Sequence, residues 1–469
     1  MATHSHTRAR TLKLLSKIAL PCVVVPNITD LLVALPSFFP LPHHTRTRTR
    51  RFVSTGRSLY ILSRSMPAKN MPAEAPGKRG ETRSANASKV VLTESLLATD
   101  AEKNATSKSL YGDSAARVSG NIGTIHDRKR LRAYEVIFRN VQGKTLLHLG
   151  CGIGLYTMLA ARSMAKMVIG VDSSAIVEAA RVVAERNGLK NVMFIRGHLS
   201  DALLQLPVGM KFDYVLCEWM GPLLLNERVL MDALYARDHL LTASGALCPN
   251  RASLHVAAVS DYAFRLDTED FWSNVYGFQM EPMKELVRQE VEMCAIPGGN
   301  IVSAPCLAYT VNMDDLEGLT VEETATYEAQ ANQAAASRDN EEENPVEDRW
   351  VPAAVAQRGY EATFTLDITR KATVHYLTFY LDAAFTSKTN PGANFVLAVR
   401  PGGHSSWTEV SVGLREPLPV HAGEKIQGTV RVYTPADKGG RITVVEVTAK
   451  TAGEVAAIET SGTYYYQSY

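Results

Sequence analysis

Two glutamates nine residues apart, Glu218 and Glu227, stand in an otherwise apolar run, V-L-C-E-W-M-G-P-L-L-L-N-E-R-V-L, over Val215–Leu230. Carboxylates in such surroundings are costly unless a cation or hydrogen-bond donors face them. Two acids facing one pocket would suit a planar guanidinium, whose N–H groups form a fork. The plainer reading has one acid capping the following helix and the other solvated. The run by itself leaves both open. A second chemical signal lies upstream. G-C-G-I-G at Gly150–Gly154 follows a short apolar stretch, and an acid, Asp172, comes 22 residues after Gly150. Glycines let backbone approach a ligand closely, and an acid at that distance can accept from ribose hydroxyls.

The elements that must hold these residues follow from apolar periodicity. Thr145–Leu149 reads as a strand, Leu155–Met164 as a helix, Met167–Val171 as a strand, Ala175–Asn187 as a helix and Val192–Ile195 as a strand. Phe212–Cys217 is a strand leading into the two glutamates, and a helical pattern begins near Asn226. Upstream, Leu131–Phe138 is helical. Strands alternating with helices imply a doubly wound parallel sheet. The G-x-G-x-G spacing, in place of G-x-G-x-x-G, tilts the ligand from a dinucleotide towards S-adenosylmethionine. After Pro249 the alternation stops. Arg251–Val259, Glu361–Ile368, Val374–Leu381, Phe395–Val399, Glu409–Leu414 and Lys425–Val432 read as strands between Gly/Pro turns. Serial strands of this kind suggest an antiparallel barrel.

The chain has 469 residues, 46% of them hydrophobic and 21% charged, as in an ordinary globular protein of two or three domains. The formal net charge of +2 hides an asymmetry. Residues 1–66 carry ten Lys/Arg and one acid, which leaves 40 basic and 47 acidic residues, net −7, for the rest. The body therefore has no general affinity for nucleic acid or anionic membrane. Six scattered cysteines, with no C-x-x-C pair, argue against a zinc site or a disulfide framework and favour a reducing compartment, hence the cytoplasm or alternatively the nucleus. No metal site is expected. Residues 18–41 are apolar but broken by Pro21, Pro26, Pro36, Pro40 and Asp30, which a transmembrane helix would not normally tolerate. Residues 1–90 are expected to be a disordered basic leader and linker, with translation starting at Met1, Met66 or Met71. An organelle transit peptide is the alternative. The run T-R-T-R-T-R-R at Thr45–Arg51 could contact RNA.

K-T-L-L-H-L-G-C-G-I-G, V-I-G-V-D-S-S, C-E-W-M-G, L-Y-A-R-D and W-S-N-V-Y-G-F occur in that order between Lys144 and Phe278. Together they resemble the type I protein arginine methyltransferases, over about residues 107 to 450. The resemblance implies a methyltransferase domain with its N-terminal helices over about 91–249 and a β-barrel domain over 250–469. It also implies a dimerisation arm at about 261–300, with Asp261–Met283 packing on a partner. An acidic, low-complexity stretch at about 322–348 is expected to be a surface insertion, with a short exposed helix as the alternative to a plain loop. S-adenosyl-L-methionine would be the cofactor, and Gly/Arg-rich proteins the substrates. Glu218 and Glu227 match the two acids that clamp the guanidinium. Gly150, Gly152, Gly154, Asp172, Leu199 and Ser200 fall at cofactor-binding positions, and His126 aligns with the arginine that would hold the cofactor's carboxylate.

Several positions depart from the family. Its lid motif Y-F-x-x-Y is S-K-S-L-Y-G-D-S here, leaving only Tyr111. His148 replaces an acid of the first strand, and Ser200 a glutamate. Pro222 and Asn226 occupy aromatic positions, and Arg228 stands where a small residue is usual and could pair with either glutamate. Ser405-Ser406-Trp407 replaces Thr-His-Trp, with His404 two residues too early. A weakly charged imidazole for a forked permanent cation should loosen the cofactor. Preserved architecture beside an altered site leads to the expectation of an inactive or impaired prozyme-type subunit that pairs with and activates an active paralogue. The alternatives are an active arginine methyltransferase and an RNA-associated scaffold.

Overall fold

A computed structural model describes residues 115–227, 229–336, 359–403, 405–435, 442–451 and 458–467. The basic leader, Tyr111, Arg228, His404 and the acidic residues 337–348 lie outside them.

Two N-terminal helices, α1 (Val118–His126) and α2 (Arg128–Phe138), are joined by the single residue Asp127, whose carboxylate caps α2 by accepting from the Arg130 N–H at 3.0 Å. The first sheet comprises β1 (Thr145–Leu149), β2 (Met167–Asp172), β3 (Val192–Arg196), β4 (Phe212–Cys217) and β5 (Leu241–Cys248), all parallel, in the order β3-β2-β1-β4-β5. The intervening helices are α3 (Leu155–Arg162), α4 (Ile176–Arg186), the short α5 (Leu199–Ala202) and α6 (Val229–His239). β1, T-L-L-H-L, is buried from Leu146 onward because helices cover both faces of a parallel sheet. The chain runs from β1 outward through β2 and β3, then returns to β4 on the other side of β1. That reversal opens a crevice beyond the carboxyl ends of β1 and β4, the usual ligand position in such sheets. Leu149 pairs with Cys217, so Gly150 and Glu218 emerge from neighbouring strands at the same level.

The second domain is antiparallel. One sheet joins β6 (Arg251–Val259), β7 (Glu292–Met293), β8 (Cys306–Asn312), β10 (Ala372–Phe385), β11 (Phe395–Ala398) and β12 (Val410–Val420). The other runs β15-β14-β13-β9, with β9 Tyr360–Asp367, β13 Lys425–Tyr433, β14 Ile442–Thr451 and β15 Glu459–Gln467. β9 alternates buried and exposed residues along its whole length, which places Phe364 and Leu366 in a barrel-like core with Val412, Val430 and Val445. That core is continuous with the first domain through Trp219, Leu223 and Leu224 of the acidic loop. The Trp219 indole donates to the Pro249 carbonyl at 2.9 Å, and the Tyr360 hydroxyl to the Leu223 carbonyl at 3.3 Å. Domain contact therefore fixes the acidic loop. Between β6 and β7 stand α7 (Tyr262–Thr268) and α8 (Glu281–Val287), rooted by Glu269, which pairs with Arg265 at 3.0 Å and Arg288 at 2.9 Å. Their tip exposes Phe271, Tyr276 and Phe278.

The acidic stretch departs from the expected surface insertion. Its first part is α9 (Val321–Ala336), on which Glu323 and Tyr327 are buried against the methyltransferase domain. Glu323 and Tyr327 are four apart, so one helical face docks while the other faces solvent. Among the described residues no helix is long and apolar enough to cross a membrane, and no cluster of His, Cys, Asp or Glu is placed to hold a metal ion.

Candidate active site

Glu218 leaves the end of β4 into the crevice, its side chain 22% exposed. An arginine from α2 meets it. Arg130 Nε donates to Glu218 Oε1 at 2.6 Å, Nη2 pairs with Oε2, and the Tyr134 hydroxyl adds a 2.9 Å bond to Oε1. This is the bidentate fork that a carboxylate and a guanidinium form when both are held. Arg130 Nη1 donates to Ser406 Oγ at 3.0 Å and Thr124 Oγ1 at 3.2 Å, and its guanidinium carbon lies 5.7 Å from the centre of the Trp407 ring. One cation thus ties together α1, β4 and the barrel loop 405–407.

Asp127 reinforces the same junction. Its carboxylate accepts from the Ser406 N–H at 2.9 Å and from the hydroxyls of Ser406 at 3.2 Å and Ser405 at 3.3 Å. Burial raises its pKa, but the N–H groups of Arg130 and Ser406, the Ser406 hydroxyl and the Arg130 charge outweigh burial and hold the carboxyl below its usual range. Ser406 occupies the position at which the resemblance expects a histidine.

Glu227 is half-buried beside Gly221, where a Cβ would come within 2.7 Å of its Cγ and 2.3 Å of Asn226 Oδ1. The tight turn therefore requires glycine. Asn226 accepts from the Leu223 N–H at 3.1 Å while its own buried amide nitrogen has no partner among the described residues. Arg228, expected to pair with one of the acids, lies outside the described residues. Glu218 is paired instead by Arg130.

The glycine loop is built from left-handed backbone. Gly150, Gly152 and Gly154 have φ of +68°, +53° and +76°. A Cβ at Gly154 would strike Phe194 at 2.7 Å and Ala180 at 2.9 Å, so this glycine serves packing. A Cβ at Gly150 would meet nothing within 4 Å, so this glycine faces open space. Asp172 Oδ2 accepts from the Gly152 N–H at 2.7 Å, and Oδ1 accepts from the Ser174 N–H at 2.9 Å and its hydroxyl at 2.6 Å. Asn121 of α1 sits over Gly152, its Oδ1 2.8 Å from where a Cβ would stand. Leu199 and Ser200, at the start of α5, are buried.

His126 is exposed at the last turn of α1. The cation that reaches the crevice is Arg130, one helical turn further on. Asp127, Arg130 and Tyr134 stand at i, i+3 and i+7, a spacing that puts all three on one helix face and could have singled them out. His148 is buried in β1, its Nδ1 2.8 Å from Thr157 Oγ1, and burial, with a contribution from Arg130, pushes its pKa down to about 3. It is a neutral core histidine. Next to it, Tyr156 is buried, and its hydroxyl has no partner among the described residues.

Residues 250–445 match the arginine methyltransferase oligomerization subdomain, and residues 140–347 match a methyltransferase domain. Protein arginine N-methyltransferase 1 of Dictyostelium discoideum is 27% identical over 361 residues, covering 76% of this chain and 93% of the relative. A chain in the solved Trypanosoma brucei PRMT1 enzyme-prozyme heterotetrameric complex with AdoHcy is 48% identical, with a TM-score of 0.64, covering 75% of this chain and all of that one. Arabidopsis thaliana protein arginine methyltransferase 10 shares the fold at 18% identity and a TM-score of 0.57, over 76% of this chain and 99% of that one.

Proposed function

The chain belongs to the protein arginine methyltransferase family, and on that premise we propose that it is a regulatory subunit, impaired in methyl transfer, that pairs with and activates a catalytic paralogue. The observation that carries this reading is the occupied carboxylate of Glu218. A substrate guanidinium needs that carboxylate free, yet both of its oxygens face Arg130 and one also accepts from Tyr134. The arginine is itself held by Ser406, Thr124 and the Trp407 face, so withdrawing it would break contacts to α1 and the barrel loop as well. Ser406 offers a hydroxyl where an imidazole would help to organise the pocket. Positioning can supply several kcal/mol of a barrier, roughly 7–11 at best, so a site closed on itself forfeits most of its rate.

S-adenosylmethionine, the family's cofactor, supplies a sulfonium methyl when bound. The open space above Gly150 and the carboxylate of Asp172 suit it; Leu199 and Ser200 would border its nucleoside, and Arg130, whose other donors face Glu218, Ser406 and Thr124, would have a single Nη2 N–H left for its carboxylate in place of His126. The likeness to a chain of an enzyme-prozyme heterotetramer supports pairing with a paralogue. The arm, Asp261–Met283, carries exposed Phe271, Tyr276 and Phe278 suited to a partner's apolar surface. Gly/Arg-rich proteins would be methylated by the complex. RNA contact through Thr45–Arg51 and a cytoplasmic location complete the reading.

The test is methylarginine formation on a Gly/Arg-rich protein by the purified chain, by its paralogue and by the two co-expressed. The lone chain should stay at background, and the complex should exceed the paralogue alone. Glu218→Gln in this chain should leave the complex's rate within about twofold. Robust turnover by the lone chain would establish the alternative, an active methyltransferase.

A further inference from the structure

Between β8 and β9 the chain leaves the barrel and lays α9 on the methyltransferase domain. Thr320 and Glu323 start the helix with reciprocal bonds, the Thr320 N–H donating to Glu323 Oε2 at 2.7 Å and the Glu323 N–H to Thr320 Oγ1 at 3.1 Å. This capping box fixes where the first turn begins and hence which face meets the domain. Tyr327, 5% exposed, stacks on Tyr235 of α6 with ring centres 4.6 Å apart, and Tyr235 donates to Glu328 at 2.9 Å. α9 also packs against α5, with Leu199, Ala202 and Tyr327 in one core.

Beneath this contact lies a half-buried acid with no place in the methyl-transfer site. Asp232 of α6 accepts from the Tyr327 hydroxyl at 2.5 Å and from the Leu199 N–H. Burial pushes its pKa up, opposed by the charge of His198 and by those two donors. A buried carboxylate is tolerated only while its donors stay in place. One donor comes from the insertion and another from the first residue of α5, so Asp232 links the two rigidly.

We propose that α9 is a strap that sets the nucleoside-binding segment, with Tyr327 acting as a positioning residue through Asp232 on Leu199–Ser200. This rests on the reading that Leu199–Ser200 borders the cofactor. A barrel-borne segment then governs how tightly the methyltransferase domain holds its nucleoside. Tyr327→Phe keeps the ring and its stacking but removes the donor, so Asp232 must recruit another donor and the α5 N-terminus loosens.

Hydrogen–deuterium exchange on the full chain, in complex with its paralogue, tests the link directly. Tyr327→Phe should speed exchange over residues 198–202 about five- to tenfold, the worth of one buried hydrogen bond, with β1 and β4 unaltered. Calorimetric titration with S-adenosylhomocysteine should show a similar loss of affinity at an unchanged stoichiometry. Tyr235→Phe loosens the same helix by deleting its bond to Glu328 while sparing Asp232, and should leave exchange at 198–202 at the wild-type rate. Unchanged exchange in Tyr327→Phe, or equal loosening in Tyr235→Phe, would overturn the proposal. If the site of this chain takes up no S-adenosylhomocysteine even in the wild type while exchange still responds to Tyr327→Phe, the strap stands and the cofactor reading beneath it falls.

Discussion

Two carboxylates face the same crevice from neighbouring regions of the sheet, and they are treated differently. Asp172 is braced by neutral donors from its own surroundings, the N–H of Gly152 and the N–H and hydroxyl of Ser174. All of these donors are local and uncharged. Glu218 is met by a full positive charge from a helix 88 residues earlier in the chain. Its charge is spent inside the molecule. On the proposed reading the nucleoside half would serve as a receptor, while the guanidinium half is a structural joint between the N-terminal helices, the sheet and the barrel.

The strongest way to break this comparison is to remove the joint. Arg130→Ala leaves Glu218 with Tyr134 as its remaining described donor and frees Ser406 and Thr124. The pair is mostly buried, 11% and 22% exposed, so losing one partner should cost about 2–4 kcal/mol. Denaturant unfolding of the chain should report that loss, and Arg130→Lys should recover part of it, since an ammonium keeps the charge but not the fork. Asp172→Asn, on the other side of the crevice, should cost no more than about 1 kcal/mol, because its partners are local and neutral. Equal losses at the two acids would remove the distinction.

The glycine loop allows a sharper contrast. Gly154→Ala meets both left-handed backbone and ring atoms at 2.7 Å, and should destabilise by about 2–3 kcal/mol. Gly150→Ala carries the backbone cost alone, about 1 kcal/mol, but puts a methyl into the open space. S-adenosylhomocysteine affinity should therefore fall at Gly150→Ala by more than stability does, while Gly154→Ala should do the reverse. Parallel losses in both variants would mean that Gly150 faces no ligand.

His148 gives a pH signature of the closed core. Its folded pKa, pushed down to about 3, lies below the unfolded value near 6.5. Between those values the unfolded chain binds a proton that the folded one does not. Stability is therefore fully present above about pH 6.5 and falls as pH drops, by about 1.4 kcal/mol per unit for this one group. His148→Asn should flatten the decline between pH 6.5 and 4.5 by up to one proton, read from unfolding free energies across that range. An unaltered slope would mean that the histidine titrates normally.

Much of this was legible in the sequence where the signal is local. Thr145–Leu149, Phe212–Cys217 and Arg251–Val259 form strands at the expected limits, because short apolar runs bounded by glycine or polar residues have few other options. β5, L-T-A-S-G-A-L-C, went unread because its exposed centre and Gly245 carry weak strand propensity, and pairing with β4 imposes its conformation. The packed face of α9 was hidden in an acidic stretch whose composition resembles a surface loop, although Thr320 and Glu323 already spell a capping box. The closure of Glu218 was beyond reach. Nothing within a few residues of an acid reveals that an arginine 88 positions away will fill it.

The smallest expected effect separates the two candidates for the cofactor's counter-ion. His126 is exposed on the last turn of α1, where a cation gains only the modest attraction of a helix C-terminus, about 0.3–1 kcal/mol at most and only when protonated. As an exposed side chain, it should on replacement by alanine (His126→Ala) alter stability by less than about 0.5 kcal/mol. S-adenosylhomocysteine affinity should be equally indifferent, whereas Arg130→Ala should lower both. The same titration applied to S-adenosylhomocysteine and to adenosine locates the contact. A cation that holds the amino-acid end matters to the first ligand and not to the second, so Arg130→Ala should narrow the gap between them and His126→Ala should not. A gap that closes in His126→Ala would return the role to the imidazole and leave Arg130 wholly committed to Glu218.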